Sequence, residues 1–583
     1  MGHYYFVFTP NTVFCMNEQT PPLTEVEHIK INSAYLKGSM IDSLANELSG
    51  AIADQDQHLI KFHGSYQQTD RELDVERKKQ KLEPLYQFML RVRVPGGIAT
   101  SQQWLQMSHI ADTWGSKTLK LTTRQAFELH SVAKMNLSTV ISHIVAAKLD
   151  TLAACGDVNR NVMCTPHPFA SAMHEETQQY ARKISDYFTP QTTAYYEIWL
   201  NGENLPPESL IQQPKGEEIV EPIYGKTYLP RKFKIAIAVP PDNDTDIFAN
   251  DIGLIAIGDE NGQLVGFNVA IGGGMGMTFG DNSTYPRLGS VIGFVPKEHT
   301  LAVCEAIIIL QRDHGNRTTR RNARLKYTID RMGLDVFVAK INEQLPNVLQ
   351  NTRPYYFQTN GDRYGWYAGT NEKWFLGLFI EGGRVKNTPN YPLKNAIDAI
   401  AQIHDGDFRL TGNQNLIIGN VSQQNKPIIE KMLQDFGILQ AAHYSPIRLH
   451  SLACVALNLC ALANAEAERY LPDLVSEIEK LLQKYDLSQQ AITIRMTGCP
   501  NGCARPYLAE IGLVGRAPGK YNLYLGANFD GSRLNQLYQE NLDEVQILEK
   551  LDLLFADYAK NRTKGEYFGD FVHRSGILSV AES

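Results

Sequence analysis

The chain has 583 residues, more than one hydrophobic core supports, so we expect two to four domains. Hydrophobic residues make up 43% and charged residues 20% of the sequence, proportions that are typical of a soluble globular protein. The net charge of −7 argues against general nucleic-acid binding, although it does not exclude a basic pocket within an acidic chain.

The N-terminal segment, residues 1–80, is polar, and it begins without the basic and apolar regions of a signal peptide. Its last part, HGSYQQTDRELDVERKKQKLEP, is dense in charge and predicts an irregular, solvent-exposed arm. No apolar run in the chain approaches the roughly 18 to 20 residues that a membrane-spanning helix needs. Eight cysteines in so long a chain do not indicate a disulfide scaffold. We therefore expect a cytoplasmic protein with reduced thiols, no membrane contact and no nucleic-acid partner.

The first regular pattern begins near Phe88. The segment FMLRVRVPGG alternates apolar and basic residues and ends in Pro-Gly-Gly, which predicts a strand that enters a turn. A helix is predicted over residues 101–114. The segment TLKLTTRQAFELHSV, residues 118–132, is typical of a strand, a turn and a second strand.

This pattern occurs a second time in the chain. LGLFIEGGRV, residues 376–385, resembles LRVRVPGGIA, residues 90–99, at an offset of 286 positions. DFRLTGNQNLIIGNV, residues 407–421, resembles residues 118–132 at an offset of 289 positions. A duplication at this distance predicts two related α+β units, related by a pseudo-twofold axis.

The two copies differ in charge. Only one of the four basic positions in the first copy stays basic in the second. The four are Arg91, Arg93, Lys120 and Arg124, opposite Gly377, Phe379, Arg409 and Asn413. A pocket between the copies would therefore be basic on one side only.

Further basic clusters lie between the copies. Arg160 lies in DVNRNVMC, and YLPRKFKIAIAVPP places Lys232 and Lys234 on one face at the start of a predicted strand. The segment NRTTRRNARLKYT adds several more arginines. Each cluster alone is typical of a solvated surface, but their concentration in an acidic chain indicates a polyanionic ligand.

Four cysteines near the C-terminus form two short clusters, Cys454-x5-Cys460 and Cys499-x3-Cys503, the second within TGCPNGC. Four thiolates can hold an iron–sulfur cluster or a structural zinc ion. Zinc sites usually have two to four residues between paired ligands, so the first spacing favours iron–sulfur. Zinc stays the alternative at this point.

At these residues the chain resembles the sulfite and nitrite reductase family, from about Lys61 to the C-terminus. The resemblance implies an α+β fold of pseudo-twofold duplicated halves, arranged as three domains around a siroheme–[4Fe–4S] site. The segments that carry it are FHGSYQQTDRE, LRVRVPGG, LTTRQAF, DVNRNV, YLPRKFK, GNRTTRRNARLKYT, TGNQNLII and TGCPNGC. The predicted domains are a partner-binding arm at 1–80, a first domain of two ferredoxin-like repeats at 81–153 plus 355–427, a first siroheme-binding half at 154–354, and a second half at 428–583 that carries the cysteines.

The same resemblance assigns roles to individual residues. Siroheme carries eight carboxylates, which accounts for the many basic residues, and the thiolate of Cys503 would also bridge the cluster to the siroheme iron. The cluster ligands would be Cys454, Cys460, Cys499 and Cys503. The substrate-binding cations would be Arg91, Arg160, Lys232 and Lys234. The residues that hold or surround siroheme would be Arg124, His130, Arg231 and Arg324.

Three positions depart from the pattern of a close relative. Lys120 stands in place of an arginine, so the charge is kept but the bidentate fork is lost. Glu128 stands in place of a glutamine, and Gly156 in place of an asparagine. The departure at position 120 puts a siroheme contact there in doubt.

The resemblance implies the six-electron reduction of sulfite to sulfide, in assimilatory sulfur metabolism and cysteine biosynthesis. Reduction of nitrite to ammonia is the alternative within the family, and a non-catalytic zinc protein is the remote one. Lys234 favours sulfite, because the nitrite enzymes tend to have asparagine there and sulfite carries up to two negative charges. The sequence has no flavin or nicotinamide motif, so electrons must come from a partner, expected to be an NADPH-dependent flavoprotein, with ferredoxin as the alternative.

Overall fold

The protein is described by a computed structural model that covers residues 22–167, 172–200, 221–369 and 372–580. Its α-helices are α1 (Glu25–Ile31), α2 (Met40–Ala45), α3 (Asp54–Leu59), α4 (Arg71–Lys79), α5 (Ser101–Trp114), α6 (Leu137–Ala146), α7 (Ala172–Tyr187), α8 (Ala194–Trp199), α9 (Thr300–His314), α10 (Leu325–Met332), α11 (Leu334–Gln344), α12 (Leu393–Ile403), α13 (Asn425–Asp435), α14 (Pro446–Leu449), α15 (Leu471–Lys484), α16 (Glu544–Asn561), α17 (Phe568–Arg574) and α18 (Ile577–Val580). Its strands are β1 (Ser65–Thr69), β2 (Tyr86–Val92), β3 (Ile98–Thr100), β4 (Leu119–Leu121), β5 (Phe127–Val132), β6 (Met163–Cys164), β7 (Ile235–Ala238), β8 (Ile252–Gly258), β9 (Leu264–Ile271), β10 (Ser290–Pro296), β11 (Gly365–Ala368), β12 (Trp374–Leu378), β13 (Arg384–Val385), β14 (Asn387–Thr388), β15 (Tyr391–Pro392), β16 (Asp407–Leu410), β17 (Leu416–Val421), β18 (Ser451–Ala453), β19 (Ile494–Thr497), β20 (Ile511–Ala517), β21 (Lys520–Leu525) and β22 (Gln536–Leu542). No helix within these ranges combines the length and the apolar character needed to cross a bilayer.

The predicted duplication is confirmed by two five-stranded antiparallel sheets of the same order. The first repeat sheet runs β1-β2-β5-β4-β13, and the second repeat sheet runs β11-β12-β17-β16-β3. Each sheet takes its last strand from the other copy, since β13 pairs with β4 and β3 pairs with β16. This exchange of edge strands fixes the two copies to one another.

The turn that precedes each exchanged strand requires glycine. Gly97 has a φ of 77° and Gly383 has a φ of 65°, a left-handed conformation that glycine adopts without strain. A Cβ atom on Gly97 would lie 2.4 Å from the carbonyl oxygen of Leu410, and one on Gly383 would lie 2.6 Å from that of Leu121. Leu121 and Leu410 are themselves equivalent in the duplication, so the Pro-Gly-Gly and Glu-Gly-Gly turns serve the same close approach on both sides.

A second duplication relates the rest of the chain. The first half sheet runs β6-β7-β8-β9-β10 and the second half sheet runs β18-β19-β20-β21-β22. In each sheet the first three strands are parallel and the last two continue antiparallel. The connections 239–251 and 498–510, which follow the second strand of each sheet, have equal length. Asp246 and Arg505 occupy the same position in them, both with positive φ, at 45° and 52°.

Asp246 and Arg505 join the two halves through a buried ion pair. Arg505 donates from Nε to Asp246, and its two terminal nitrogens donate to the carbonyl oxygens of Thr123 (2.9 Å) and Gly412 (2.8 Å), which are equivalent positions of the two repeats. Arg495 lies 2.6 Å from the same carboxylate. One arginine therefore contacts both repeats and both halves near the pseudo-twofold axis.

The substitution Asp246→Asn is expected to lower the free energy of unfolding by about 3–5 kcal/mol, because it leaves two buried guanidinium groups without their shared carboxylate. Denaturant titration of the cofactor-loaded protein measures the change. Asp313→Asn is the control, since its pair with Arg312 is exposed and should cost no more than about 1 kcal/mol. Equal losses in the two variants would contradict the role of Asp246.

The described part of the N-terminal segment is not irregular, contrary to the expectation. Residues 22–80 form α1 to α4 and β1, and β1 continues the first repeat sheet by pairing antiparallel with β2. Only α4 has no buried residue, and its charge density concealed the strand beside it. Residues 1–21, with Cys15, lie outside the described residues. The domain limits predicted from the sequence stay predictions.

Candidate active site

The four cysteines lie on loops that leave neighbouring parallel strands. Cys454 follows β18 directly, and Cys499 and Cys503 lie in the connection that follows β19. Because β18 and β19 are parallel neighbours, their carboxyl ends meet at the same edge of the sheet. Cys460 lies on the loop that continues from Cys454.

Backbone contacts hold these two loops together. Gly498 donates its N–H to Sγ of Cys454 at 3.4 Å, and its carbonyl oxygen accepts from the backbone N–H groups of Asn464 (2.7 Å) and Ala465 (3.1 Å). A Cβ atom on Gly498 would lie 2.7 Å from Cβ of Ala456, so only glycine fits between the loops. N–H groups aimed at sulfur are a feature of protein-bound iron–sulfur clusters.

The four thiols influence one another electrostatically. Burial, followed by the charge of Cys503, raises the pKa of Cys454 well above its usual range, and the same causes raise the pKa of Cys499 to about 11. Crowded thiols of this kind become thiolates when a positively charged group binds them. Within the described chain, no set of three or more His, Cys, Asp or Glu side chains is arranged to hold a single metal ion.

A small cavity lies beside Cys503. It contains five of the residues predicted for the site, drawn from the first repeat and from both halves. These five are Arg124, Lys232, Lys234, Arg324 and Cys503. Its other lining residues are Thr123, Met163, Thr245, Ala249, Asn250, Met275, Gly276, Asn501, Gly502 and Arg505.

Lys232 and Lys234 reach this cavity because Phe233 between them points into the core. Phe233 is 1% exposed, and its backbone N–H donates to the carbonyl oxygen of Val158, so its neighbours face the opposite side. Burial and then the charges of Arg231 and Arg160 lower the pKa of Lys232 to about 7. Burial, followed by the charge of Lys232, lowers the pKa of Lys234 well below its usual range.

Neither lysine has a carboxylate or hydrogen-bond partner among the described residues. Charges removed from water are normally paired, so two adjacent lysines in one cavity favour an anionic ligand, whose charge would hold both side chains as ammonium groups. Two lysines without a partner in the described part of the protein are what a carboxylate-rich macrocycle such as siroheme and an anionic substrate would need. The residues present therefore fit both groups.

The three arginines predicted to hold siroheme differ in their protein partners. Arg124 donates to the carbonyl oxygen of Asn161 at 2.6 Å and to Oδ1 of Asn250 at 2.9 Å, and burial lowers its pKa to about 9. Arg324 makes a bidentate pair with Asp251, at 3.1 and 2.8 Å. Burial and then the charge of Arg320 lower the pKa of Arg231 to about 10.

Four of the residues predicted to bind substrate or siroheme do not line the cavity. They are Arg91, Arg160, Arg231 and His130. Arg160 donates from Nε and Nη2 to the carbonyl oxygen of Gly156, at 3.2 and 3.1 Å, and its backbone N–H bonds to Phe233, which places it beside the two lysines. His130 lies 3.0 Å from the carboxylate of Glu128, and Arg91 pairs with the same carboxylate.

Two residues have partners that the sequence did not indicate. Lys120 lies 2.6 Å from Glu468 and also donates to the carbonyl oxygen of Gly382, so its ammonium group is engaged away from the cavity. Sγ of Cys155 accepts from Nη1 of Arg91 at 3.0 Å.

Sequence reasoning missed several lining residues, above all Asn501 and Arg505. Both lie within or beside TGCPNGC, and Asn501 donates from Nδ2 toward Sγ of Cys499 at 3.5 Å. Their closeness to Cys503 in sequence was the available signal. Asn250 and Thr245 carried no such signal, since they belong to the equivalent connection of the first half, whose sequence is unrelated.

Comparison with known proteins follows the same segments. The model of the nitrite/sulfite reductase ferredoxin-like half domain matches residues 80–147 and 367–436, the two repeats found in the sequence. The model of the nitrite and sulphite reductase 4Fe-4S domain matches residues 155–349. The chain belongs to the nitrite and sulphite reductase family. The predicted family and fold class are thereby confirmed.

Relatives in this family match almost the whole chain. A protein of Staphylococcus saprophyticus named sulfite reductase NADPH hemoprotein beta-component is 56% identical over 556 residues, covering 95% of this chain and 96% of the relative. A Bacillus subtilis protein of the same name is 53% identical over 557 residues, covering 96% of each. The solved Mycobacterium tuberculosis NirA protein is similar in fold, with a TM-score of 0.76 at 23% identity, over 95% of this chain and 96% of that one.

Proposed function

We propose that this chain is the hemoprotein component of an assimilatory sulfite reductase and catalyses the six-electron reduction of sulfite to sulfide for cysteine biosynthesis. The observation that carries the proposal is the pair of half-buried lysines, Lys232 and Lys234, in the cavity beside Cys503. The relatives at 53–56% identity carry the corresponding name. Site and family therefore support the same reaction.

The residues that would hold the cofactors follow from this arrangement. Cys454, Cys460, Cys499 and Cys503 would bind a [4Fe–4S] cluster, and Arg124, Arg231 and Arg324, with His130, would hold siroheme. When bound, siroheme and its coupled cluster supply the electrons for reduction, which amino-acid side chains cannot. Cys503 belongs to both sets, because it is a cluster cysteine and also lines the cavity.

The basic side chains would bind and orient the substrate. Lys232 and Lys234, with Arg160 beside them, place fixed positive charge where the oxygens of sulfite would lie, and charge-assisted hydrogen bonds from such groups are strong. Lys232 can also give up and regain a proton at Nζ near neutral pH, because its pKa is lowered to about 7. Each oxygen removed from sulfite needs protons to leave as water.

Nitrite reduction is the second candidate, since the same cations bind any small oxyanion. Sulfite is favoured because two ammonium groups match the charge of a dianion better than that of a monoanion. The position of Lys234 in the cavity is the specific observation behind this preference.

The electron donor is proposed from the relatives' names, which specify NADPH. An NADPH-dependent flavoprotein would deliver electrons, with ferredoxin as the alternative, and residues 1–80 would contribute to its binding. The domain limits 81–153 plus 355–427, 154–354 and 428–583 are proposed with it, as is a cytoplasmic location.

The purified protein is expected to show the visible absorbance of siroheme and to contain iron. It should form sulfide from sulfite with NADPH and flavoprotein, and faster than with reduced ferredoxin. Ammonia formation from nitrite, measured under the same conditions, separates the two candidate reactions. A colourless protein that contains zinc would overturn the proposal.

A further inference from the structure

Glu128 lies at the centre of a row of charged side chains that crosses the first repeat sheet. The strand register sets Glu128 of β5 opposite Arg91 of β2 on one side and Lys120 of β4 on the other. Directly opposed residues on one face of a sheet are close enough to interact. Glu128 therefore lies between a predicted substrate cation and a second buried cation.

One carboxylate oxygen of Glu128 accepts hydrogen bonds, and the other lies close to a histidine. Oε2 accepts from Nε of Arg91 at 3.0 Å and from Nη2 at 2.5 Å, while Oε1 lies 3.0 Å from Nε2 of His130. Nη1 of Arg91 donates to Sγ of Cys155 at 3.0 Å. A guanidinium group has five N–H donors, so three of those on Arg91 point to protein acceptors and two are left for a ligand.

Glu128 is held as a carboxylate. Burial alone would raise its pKa, but Arg91 and then His130 more than offset burial, and the pKa lies below its ordinary value. The side chain is 5% exposed, so water screens its charge poorly. Glu128 therefore places a fixed negative charge beside Arg91, one of the cations predicted for the substrate.

We propose that Glu128 is a positioning residue that fixes the guanidinium of Arg91 and, by offsetting one positive charge, sets how strongly the site prefers a dianion over a monoanion. This proposal rests on the proposed function. An isosteric neutral residue at position 128 would keep the shape of the site and raise its positive potential. A dianion gains about twice as much as a monoanion from such a change.

The test is the substitution Glu128→Gln, compared with Glu128→Leu in the cofactor-loaded protein. At mildly alkaline pH, where sulfite is largely dianionic, the glutamine variant should bind sulfite more tightly. The ratio of kcat/KM for sulfite to that for nitrite should rise roughly tenfold. The leucine variant should show the same shift in ratio with a lower kcat for both substrates, because Arg91 also loses its acceptor.

Asp150→Asn is the matched control. Arg93 lies two residues after Arg91, just beyond the end of β2, and pairs with both carboxylate oxygens of Asp150, at 3.0 and 2.6 Å, away from the cavity. This variant removes a carboxylate from a neighbouring buried arginine and should leave the sulfite-to-nitrite ratio unchanged.

A double-mutant cycle tests whether Glu128 acts through Arg91. In an Arg91→Ala background, Glu128→Leu should change kcat much less than in the wild type, because no guanidinium is left to orient. An equal change in both backgrounds would overturn the positioning role.

Three further outcomes are decisive. An unchanged ratio in Glu128→Gln at normal siroheme content would overturn the charge role. Loss of siroheme absorbance in that variant would make Glu128 a cofactor-holding residue and would also overturn the proposal. Absence of sulfide formation by the wild type would instead count against the proposed function, so the two failures are distinguishable.

Discussion

Cys503→Ser is expected to abolish sulfite reduction, with a fall of at least about 10³-fold in kcat, the scale of losing an essential group. The reason is that Cys503, on the loop that follows β19, is one of the four clustered cysteines and also lines the basic cavity. A serine oxygen is a harder donor than a thiolate and a poorer ligand for an iron–sulfur cluster. Visible absorbance, iron content and sulfide formation should all change together.

Two other cysteine variants serve as comparisons for Cys503→Ser. Cys499→Ser should lower the iron content of the cluster, but it changes no residue of the cavity lining. Cys304→Ser should leave every readout unchanged, because Cys304 is buried within α9, outside both loops. Full turnover with unaltered absorbance in Cys503→Ser would contradict the assignment of this residue.

The sequence predicted the repeats because their turns demand particular residues. Pro-Gly-Gly and Glu-Gly-Gly mark equivalent left-handed turns, and the Thr-Thr-Arg-Gln and Thr-Gly-Asn-Gln segments mark the next ones. The exchange of β3 and β13 between the sheets was not predictable in the same way. Strand partners that far apart in sequence are set by tertiary packing, which a local pattern does not contain.

The duplication of the two halves left almost no trace in the sequence. The connections 239–251 and 498–510 share their length and a left-handed residue, but Cys499 and Cys503 of the second stand opposite Pro240 and Asp244 of the first. Asp246 and Arg505, at the same position, differ in charge because they pair with each other. Equivalent positions near a pseudo-twofold axis face one another, so they diverge into complementary residues instead of staying alike.

The sequence also did not show which cations pair with a carboxylate. Arg91 and Arg93 look alike in LRVRVPGG, yet one pairs with Glu128 beside the site and the other with Asp150 away from it. Lys120 and Lys234 both belong to basic segments, but only Lys120 has a carboxylate partner, Glu468, within the described chain. Long-range partners decide which cations are left to bind a ligand.

Lys232→Ala is expected to lower kcat/KM for sulfite by about 10²–10³-fold, the usual effect of removing one preorganised donor from a site where charge develops. Reduction of the protein by a strong chemical reductant should be much less affected, because the cysteine loops and most of the cavity lining remain. Stopped-flow absorbance follows reduction, and sulfide formation follows turnover.

Lys394→Met is the control, a buried lysine held by Asp112 at 2.8 Å and Asp398 at 3.1 Å between α5 and α12. It should lose stability without changing the ratio of turnover to chemical reduction. Equal losses of reduction and turnover in Lys232→Ala would mean that the side chain supports the cofactors and not the substrate. A selective loss of turnover would mean that the unpaired side chain of Lys232 binds sulfite. A cation that already has a carboxylate partner attracts an incoming anion much more weakly.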